Sequence, residues 1–376
     1  MRDVLLRGGQ ARTLTMLGVV TVLLVALAIF AVSMQRRALT SDFETRPMFP
    51  DLTEKVNDAA RVEVVSRLTA VTVVRDDEAG DTWRLVEKEN HPARADLVKR
   101  TVVGLAGLEL VEERTALADW HKHINLTDPA DKGTGVRVSV YDAAGEELAA
   151  LIVGKLEGSA DIDATGTIYV RRIGDDQAYV ARGSFNLEQQ PVAWLDTGVI
   201  DLAAGRVTRV DVLPEDGTSY AVSLKDWDGA SKPAYEIDGL ADDLQPVTDY
   251  AITGVGNGLV GLQFTDVVPQ EDVILEAPVS SVYNTKDGLQ VTVQAEKQDK
   301  SYYVVLDARA VDGADDAVVQ EAARLAAGFA PYAFVVSTVR GADLTRAFET
   351  LTEPKPDSEA AIDLEAVTGG EGPGAN

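Results

Sequence analysis

The residues able to do chemistry are few and scattered. His121-Lys122-His123 holds two of the three histidines in the chain. Two apart on a strand, they would share a face and could reach one metal ion, with Asp119 and Asp128 close in sequence. No third ligand follows at a characteristic spacing, and Trp120, Ile124 and Leu126 suit a strand edge or turn packed on a core, so no metal residue is assigned. Asp161-Ile162-Asp163-Ala164-Thr165-Gly166 begins like a calcium loop, with oxygen ligands at alternate positions. Its twelfth position is Arg172, where a bidentate Glu is required, so the stretch reads as a solvated turn. Gly256-Asn257-Gly258-Leu259-Val260-Gly261 satisfies G-x-G-x-x-G, but a dinucleotide site needs those glycines between a strand and the start of a helix. Here they fall toward a helix's end, as Gly104 and Gly107 do earlier, which is a C-cap position. There is no G-x-S-x-G elbow and no Walker A string. The absence of cysteine removes thiolate nucleophiles, disulfides and zinc–thiolate sites. The sequence thus assigns no catalytic, cofactor-binding or metal residue and no cofactor, and a protein that is not an enzyme is the expectation.

The net charge of −26 over 376 residues opposes the counterion physics of nucleic-acid binding. DNA, RNA and anionic lipid surfaces are therefore unsuited partners, and the carboxylates read as a solvated surface. Thr13 to Met34 is an uninterrupted apolar run without charge or proline. At about 1.5 Å of rise per residue, such a run matches the ~30 Å hydrocarbon core of a bilayer. It is longer than the apolar part of a cleaved signal, although Ala31-Val32-Ser33 resembles a cleavage triplet, so an uncleaved anchor is expected. Arg2, Arg7 and Arg12 lead the run and Arg36 and Arg37 follow it, a small bias toward a cytoplasmic N-terminus. The expectation is a single-pass protein of a bacterial inner membrane with its body in the periplasm.

The elements that would position any site follow from periodicity. Residues 1–12 are cytoplasmic, 13–34 the anchor and 35–55 a tether containing Pro47 and Pro50. The first module, 56–198, opens with the strands Val62 to Val64, Val71 to Val74 and Trp83 to Val86. From Ala95, Leu97, Val98, Val102, Val103, Leu105 and Leu108 recur at helical spacing. Further strands are expected at Val136 to Val140, Leu148 to Val153, Thr167 to Arg171 and Gln177 to Ala181. The same order returns in a second module, 199–350. Arg206 to Val212 answers Arg61 to Val65, Tyr220 to Leu224 answers Val71 to Val74, and Ala234 to Ile237 answers Trp83 to Val86. Asp243 to Leu259 answers the helix, Leu289 to Val293 answers Val136 to Val140, and Tyr302 to Leu306 answers Leu148 to Val153. Ala333 to Val336 answers Ala178 to Ala181, and a helix over Asp315 to Ala327 is the extra segment. Residues 351–376 read as a disordered acidic tail. The fold class is α+β: two tandem copies of a mainly antiparallel module with one amphipathic helix each.

Several short stretches resemble one bacterial family. Trp83-Arg84-Leu85, His91-Pro92-Ala93-Arg94-Ala95-Asp96 and Leu110-Val111-Glu112-Glu113-Arg114-Thr115 carry the likeness, behind an N-terminal anchor. Ile124-Asn125-Leu126-Thr127-Asp128-Pro129, Gly154-Lys155, Tyr169-Val170-Arg171-Arg172 and Trp194-Leu195-Asp196 extend it. The chain is similar to the proteins grouped as domain of unknown function 4340, with His91 standing where a Tyr is expected before the proline. The resemblance implies a membrane-anchored protein without defined catalytic residues, encoded in some members beside transporter components of the gliding-motility type. The expected role is binding within an envelope or transporter-associated assembly, with inner-membrane or transporter components as partners. The alternative is a binder or hydrolase of cell-wall or surface polymer, using paired carboxylates or exposed aromatics around Trp194 or Trp227.

Overall fold

The computed structural model describes residue 21 and residues 43–76, 80–157, 166–183 and 187–356. The apolar run 13–34, apart from Thr21, and the calcium-like stretch 161–165 lie outside the described residues. Among the described residues no helix is long and apolar enough to cross a membrane.

In chain order the elements begin with β1 (Arg46–Pro47), α1 (Leu52–Lys55), β2 (Ala59–Val65), β3 (Ala70–Arg75), β4 (Trp83–Leu85) and β5 (His91–Ala93). Next come α2 (Ala95–Ala106), β6 (Glu109–Glu113), β7 (Val136–Asp142), β8 (Glu147–Glu157), β9 (Thr167–Arg172) and β10 (Ala178–Arg182). The chain continues through β11 (Gly198–Ile200), β12 (Val207–Pro214), β13 (Tyr220–Leu224), β14 (Tyr235–Ile237), β15 (Leu244–Pro246) and α3 (Asp249–Gly256). It closes with β16 (Leu262–Pro269), β17 (Val279–Thr285), β18 (Leu289–Gln298), β19 (Ser301–Ala310), α4 (Asp316–Phe329), β20 (Tyr332–Val336), α5 (Thr338–Leu344), α6 (Phe348–Leu351) and β21 (Thr352–Pro354). The strands pair antiparallel, and a few helices accompany them, so the fold is α+β. Two compact units divide the chain: residues up to Ala70 with Asp96–Gln189, and Val71–Ala95 with the chain from Gln190 onward. The segment Val71–Ala95, placed by the sequence within the first module, is thus counted with the second unit.

In the first unit the strands lie in the order β1-β6-β10-β9-β8-β7-β2. Alternation explains β2: Val62 and Val64 are buried, while Arg61 and Glu63, at the alternate positions, form a 3.3 Å ion pair on the other face. The middle of β8, Ala149 to Val153, is buried at every position, as a continuous apolar run requires of a strand covered on both faces. Helix α2 buries Leu97, Val98, Thr101, Val102 and Leu105, and the Thr101 hydroxyl donates to the Leu97 carbonyl at 2.9 Å. Val103, of the expected apolar set, is half exposed. The expected tether is partly core. Met48, Phe49 and Leu52 are buried, the Arg172 guanidinium donates to the Met48 carbonyl, and it lies 5.2 Å from the Phe49 ring centroid.

In the second unit the order is β11-β16-β20-β19-β18-β17-β12-β13-β14, with β15 and β21 forming a separate pair. Strand β17 was not anticipated. The helix expected over Asp243 to Leu259 is shorter, because Leu244–Pro246 pairs with Thr352–Pro354 and Thr248 then caps α3. The Thr248 hydroxyl accepts from the Ala251 amide at 3.2 Å, satisfying one of the helix's open N–H groups. Thr248→Ala should therefore cost about 1 kcal/mol in chemical denaturation, and an unchanged midpoint would contradict the capping role. The same pairing orders Thr352–Pro354, which the sequence assigned to the disordered tail. The extra helix runs to Phe329 rather than Ala327, since Phe329 is itself buried.

Candidate functional site

A cleft of about 480 Å³ opens in the second unit beside β11, the strand that ends its sheet order. Three distant stretches line it: 198–202, 261–263 and the middle of α4, at Glu321, Arg324 and Leu325. Strand β11 is three residues long, and its register with β16 shifts between Gly198 and Ile200, which frays the sheet here. The base is apolar, with Ile200, Leu202 and Leu262 buried and Val199 and Leu325 at the rim. Its backbone is pinned. Asp201 Oδ1 accepts from the Gly261 amide at 2.8 Å, the Leu202 amide donates to the Leu259 carbonyl at 3.2 Å, and Arg340 donates to the Val260 carbonyl at 2.5 Å.

The α4 wall is fixed by a charge network. Arg206 donates two bonds to Glu321, at 2.8 and 2.7 Å, and further bonds to Asp287 at 2.9 to 3.3 Å. Its hydrogen bond to Glu321 raises the Arg206 pKa despite burial, and reciprocally holds the Glu321 carboxyl below the ordinary range. At Asp287 burial pushes upward, but bonds from Arg206 and Thr285 leave the carboxyl lowered. Both acidic groups of the cleft are thus engaged, Glu321 by Arg206 and Asp201 by an amide. Arg324, one turn beyond Glu321, is exposed, and its charge contributes to lowering Glu321. Among the described residues it makes no hydrogen bond or ion pair. Among the described residues the lining contains no Ser, Thr, His, Lys or Tyr, and its acidic groups are those two engaged carboxylates. What the cleft can do is bind: an apolar floor and one available guanidinium suit a ligand with an apolar body and a carboxylate.

The residues singled out by sequence are not gathered here. His121 and His123 lie on a 3-10 helix, Ala118–His123, rather than a strand, so they do not share a face. His121 is buried with Nε2 2.9 Å from the Asp176 carbonyl, whereas His123 is exposed, its ring 5.5 Å from Trp120. Among the described residues no group of three or more His, Asp or Glu could hold a metal ion. Gly256 ends α3, and a Cβ there would lie 2.4 Å from the Tyr235 ring, while one on Gly258 would meet the Tyr283 hydroxyl. Only Gly261 of that string reaches the cleft. Trp194 is fully buried, so it cannot serve as an exposed aromatic platform, and Trp227 packs over Gly205 with its indole N–H on the Ser231 carbonyl. The cleft carries no local sequence signature, because its three stretches are far apart in the chain.

Three of the short motifs converge instead on packing in the first unit. Leu126, Ile152 and Ala178 form a buried cluster against Ile124, Tyr169 and Ile173. Arg171 Nε donates to the Leu126 carbonyl at 2.8 Å, and the Lys155 amide donates to the Ile124 carbonyl at 3.2 Å. Those contacts join Ile124 to Pro129, Gly154-Lys155 and Tyr169 to Arg172 into one structural unit. No curated protein and no solved structure matches the chain. The model of a family described as "Domain of unknown function (DUF4340)" matches residues 83–278, just over half of the chain, in agreement with the resemblance carried by these motifs. The chain therefore belongs to the DUF4340 family.

Proposed function

We propose that this protein is a non-enzymatic binding component of an envelope or transporter-associated assembly, held at a bacterial inner membrane by residues 13–34 with its body in the periplasm. The observation that carries the reading is the cleft beside β11, which combines an apolar floor, a free cationic Arg324 and no reactive constellation. Its partner is an inner-membrane or transporter subunit offering an apolar segment with a carboxylate. Anchoring concentrates the body against other membrane proteins, so a weak interface suffices.

The body consists of two copies of one module. The orders β1-β6-β10-β9-β8-β7-β2 and β11-β16-β20-β19-β18-β17-β12 support this, as do the single helices α2 and α3 preceding β6 and β16. On this reading β17, Val279–Thr285, is the counterpart of β7, in place of Leu289 to Val293. Strands β18 and β19 then answer β8 and β9, β20 still answers β10, and α4 is the insertion.

Crosslinking in intact cells tests the proposal. The full chain should trap a membrane or transporter subunit, and a version lacking residues 14–34 should trap much less. If the soluble body turns over a wall polymer unaided, the binding reading fails and the polymer-hydrolase reading takes its place.

A further inference from the structure

His91 sits on β5, in the segment Val71–Ala95, and is 6 % exposed. Three aromatic rings of the same compact unit surround it: Phe264 at 5.0 Å, Tyr332 at 4.9 Å and Phe334 at 6.2 Å between centroids, all steeply inclined to the imidazole. Its Nδ1 lies 3.1 Å from the Pro92 carbonyl, which only accepts, so Nδ1 carries the proton of the neutral ring. Contacts on either side tie the same segment down. Lys88 Nζ meets Asp266 at 2.5 Å, Tyr332 Oη donates to the Glu89 carbonyl at 3.1 Å, the Arg94 amide donates to the Trp194 carbonyl at 2.8 Å, and the Asp196 amide donates to the Pro92 carbonyl at 3.0 Å. The turn before His91 is itself strained, with Glu89 and Asn90 both left-handed at φ 53° and 55°.

The cage holds the imidazole neutral. Burial lowers the His91 pKa from the usual 6.5, outweighing the Pro92 carbonyl and Asp196, which act to raise it, and Arg84 adds to the lowering. The charged and titratable groups around the site are Arg84, itself held by Asp76, with Glu89, Asp196, the Lys88–Asp266 pair and Tyr332. The two phenylalanine rings offer no hydrogen-bond acceptor for a second N–H, and the Tyr332 hydroxyl donates its proton to the Glu89 carbonyl. Carboxylates, lysine, arginine and tyrosine ordinarily change charge outside the range of pH 5 to 7, which leaves histidine as the group that responds there.

We propose that His91 is a proton-sensitive latch: in mildly acidic surroundings its protonation releases residues 88–94 from the rest of the second unit. The released state binds the proton more readily than the docked one. Docking is therefore full above pH 6.5 and weakens as the pH falls below it, by up to about tenfold per pH unit until the lowered docked value is reached.

The test is amide hydrogen exchange of the full chain at pH 7.5 and 5.5, corrected for intrinsic exchange rates, in the wild type, His91→Phe and His91→Tyr. The wild type should lose about tenfold of its protection across 84–95 at the lower pH, while at least one aromatic variant, folded at pH 7.5, should not. Should neither variant fold, the His91 ring resonance in the wild type decides: it should titrate below 6.5 together with the resonances of Tyr332 and Phe264. Equal loss of protection in wild type and folded variants, greater protection at low pH, or titration of His91 at or above 6.5 would overturn the latch.

Discussion

Gly154→Ala should destabilise the first compact unit by about 3 kcal/mol or more. A Cβ at Gly154 would lie 2.2 Å from the Ile124 carbonyl oxygen and 3.0 Å from a methyl of Leu126. The nearest obstacle is backbone, fixed in turn by the Lys155 amide, and Leu126 is fully buried beneath it, so neither neighbour yields cheaply. Relief requires the 124–126 stretch to lift from β8 and carries the buried cluster of Leu126, Ile152 and Ala178 with it. For a unit of this size the unfolding midpoint should fall by roughly 6 to 12 °C. Gly145→Ala is the comparison, since a Cβ there meets nothing within 4 Å and only the left-handed φ of 82° is strained, which costs about 1 kcal/mol. Calorimetry that ranked Gly145→Ala as the more damaging of the two would refute this account of the motif.

Arg206→Met should cost about 2 kcal/mol and loosen α4, for a different reason. Arg206 is mostly buried, and its removal takes away the cation that bridges Glu321 and Asp287. Both carboxylates keep partial access to water, which moderates the penalty below that of a fully buried pair. The sign of the pH dependence follows from their lowered pKa values. The stabilisation from Arg206 is fully present above the ordinary carboxylate range near 4 and is lost as the pH falls through the lowered values. Denaturation midpoints of wild type and variant should thus differ at pH 7 and converge in acid. A constant difference down to pH 2 would show that Arg206 acts through packing alone.

Period-two alternation makes β2 legible at Val62 and Val64 and β12 at Val210 and Val212, with a register shift near Val207 interrupting the period, and helical spacing does the same for α2. What failed did so for identifiable reasons. Strand β1 is two residues containing a proline, too short for any period, although Met48 beside it is wholly buried. Strand β17 hides behind Ser280 and Ser281, small polar residues of which the second is almost fully buried. Strand β15 exists through bonds to residues more than a hundred positions away, a long-range pairing that overrides the local preference of Asp243 to Val247. Sequence leaves the histidine pair between a strand edge and a turn packed on the core, and the 3-10 helix divides the two side chains between core and solvent. Nothing in the sequence announces the cleft, because its polar groups owe their roles to partners elsewhere in the chain: Glu321 to Arg206, and Asp201 to Gly261.

A photo-crosslinking residue placed at Val199, on the rim of the cleft, tests most directly whether this family member works by binding through that site. Position 236 on β14, exposed and at the opposite end of the sheet order, is the control. Irradiated cells should yield a membrane-subunit adduct from position 199 and little from 236, and Arg324→Glu should cut the 199 adduct by about fivefold or more, as reversal of a recognition charge does. Equal adducts from both positions, or an adduct at 199 indifferent to Arg324→Glu, would contradict the assignment of the cleft.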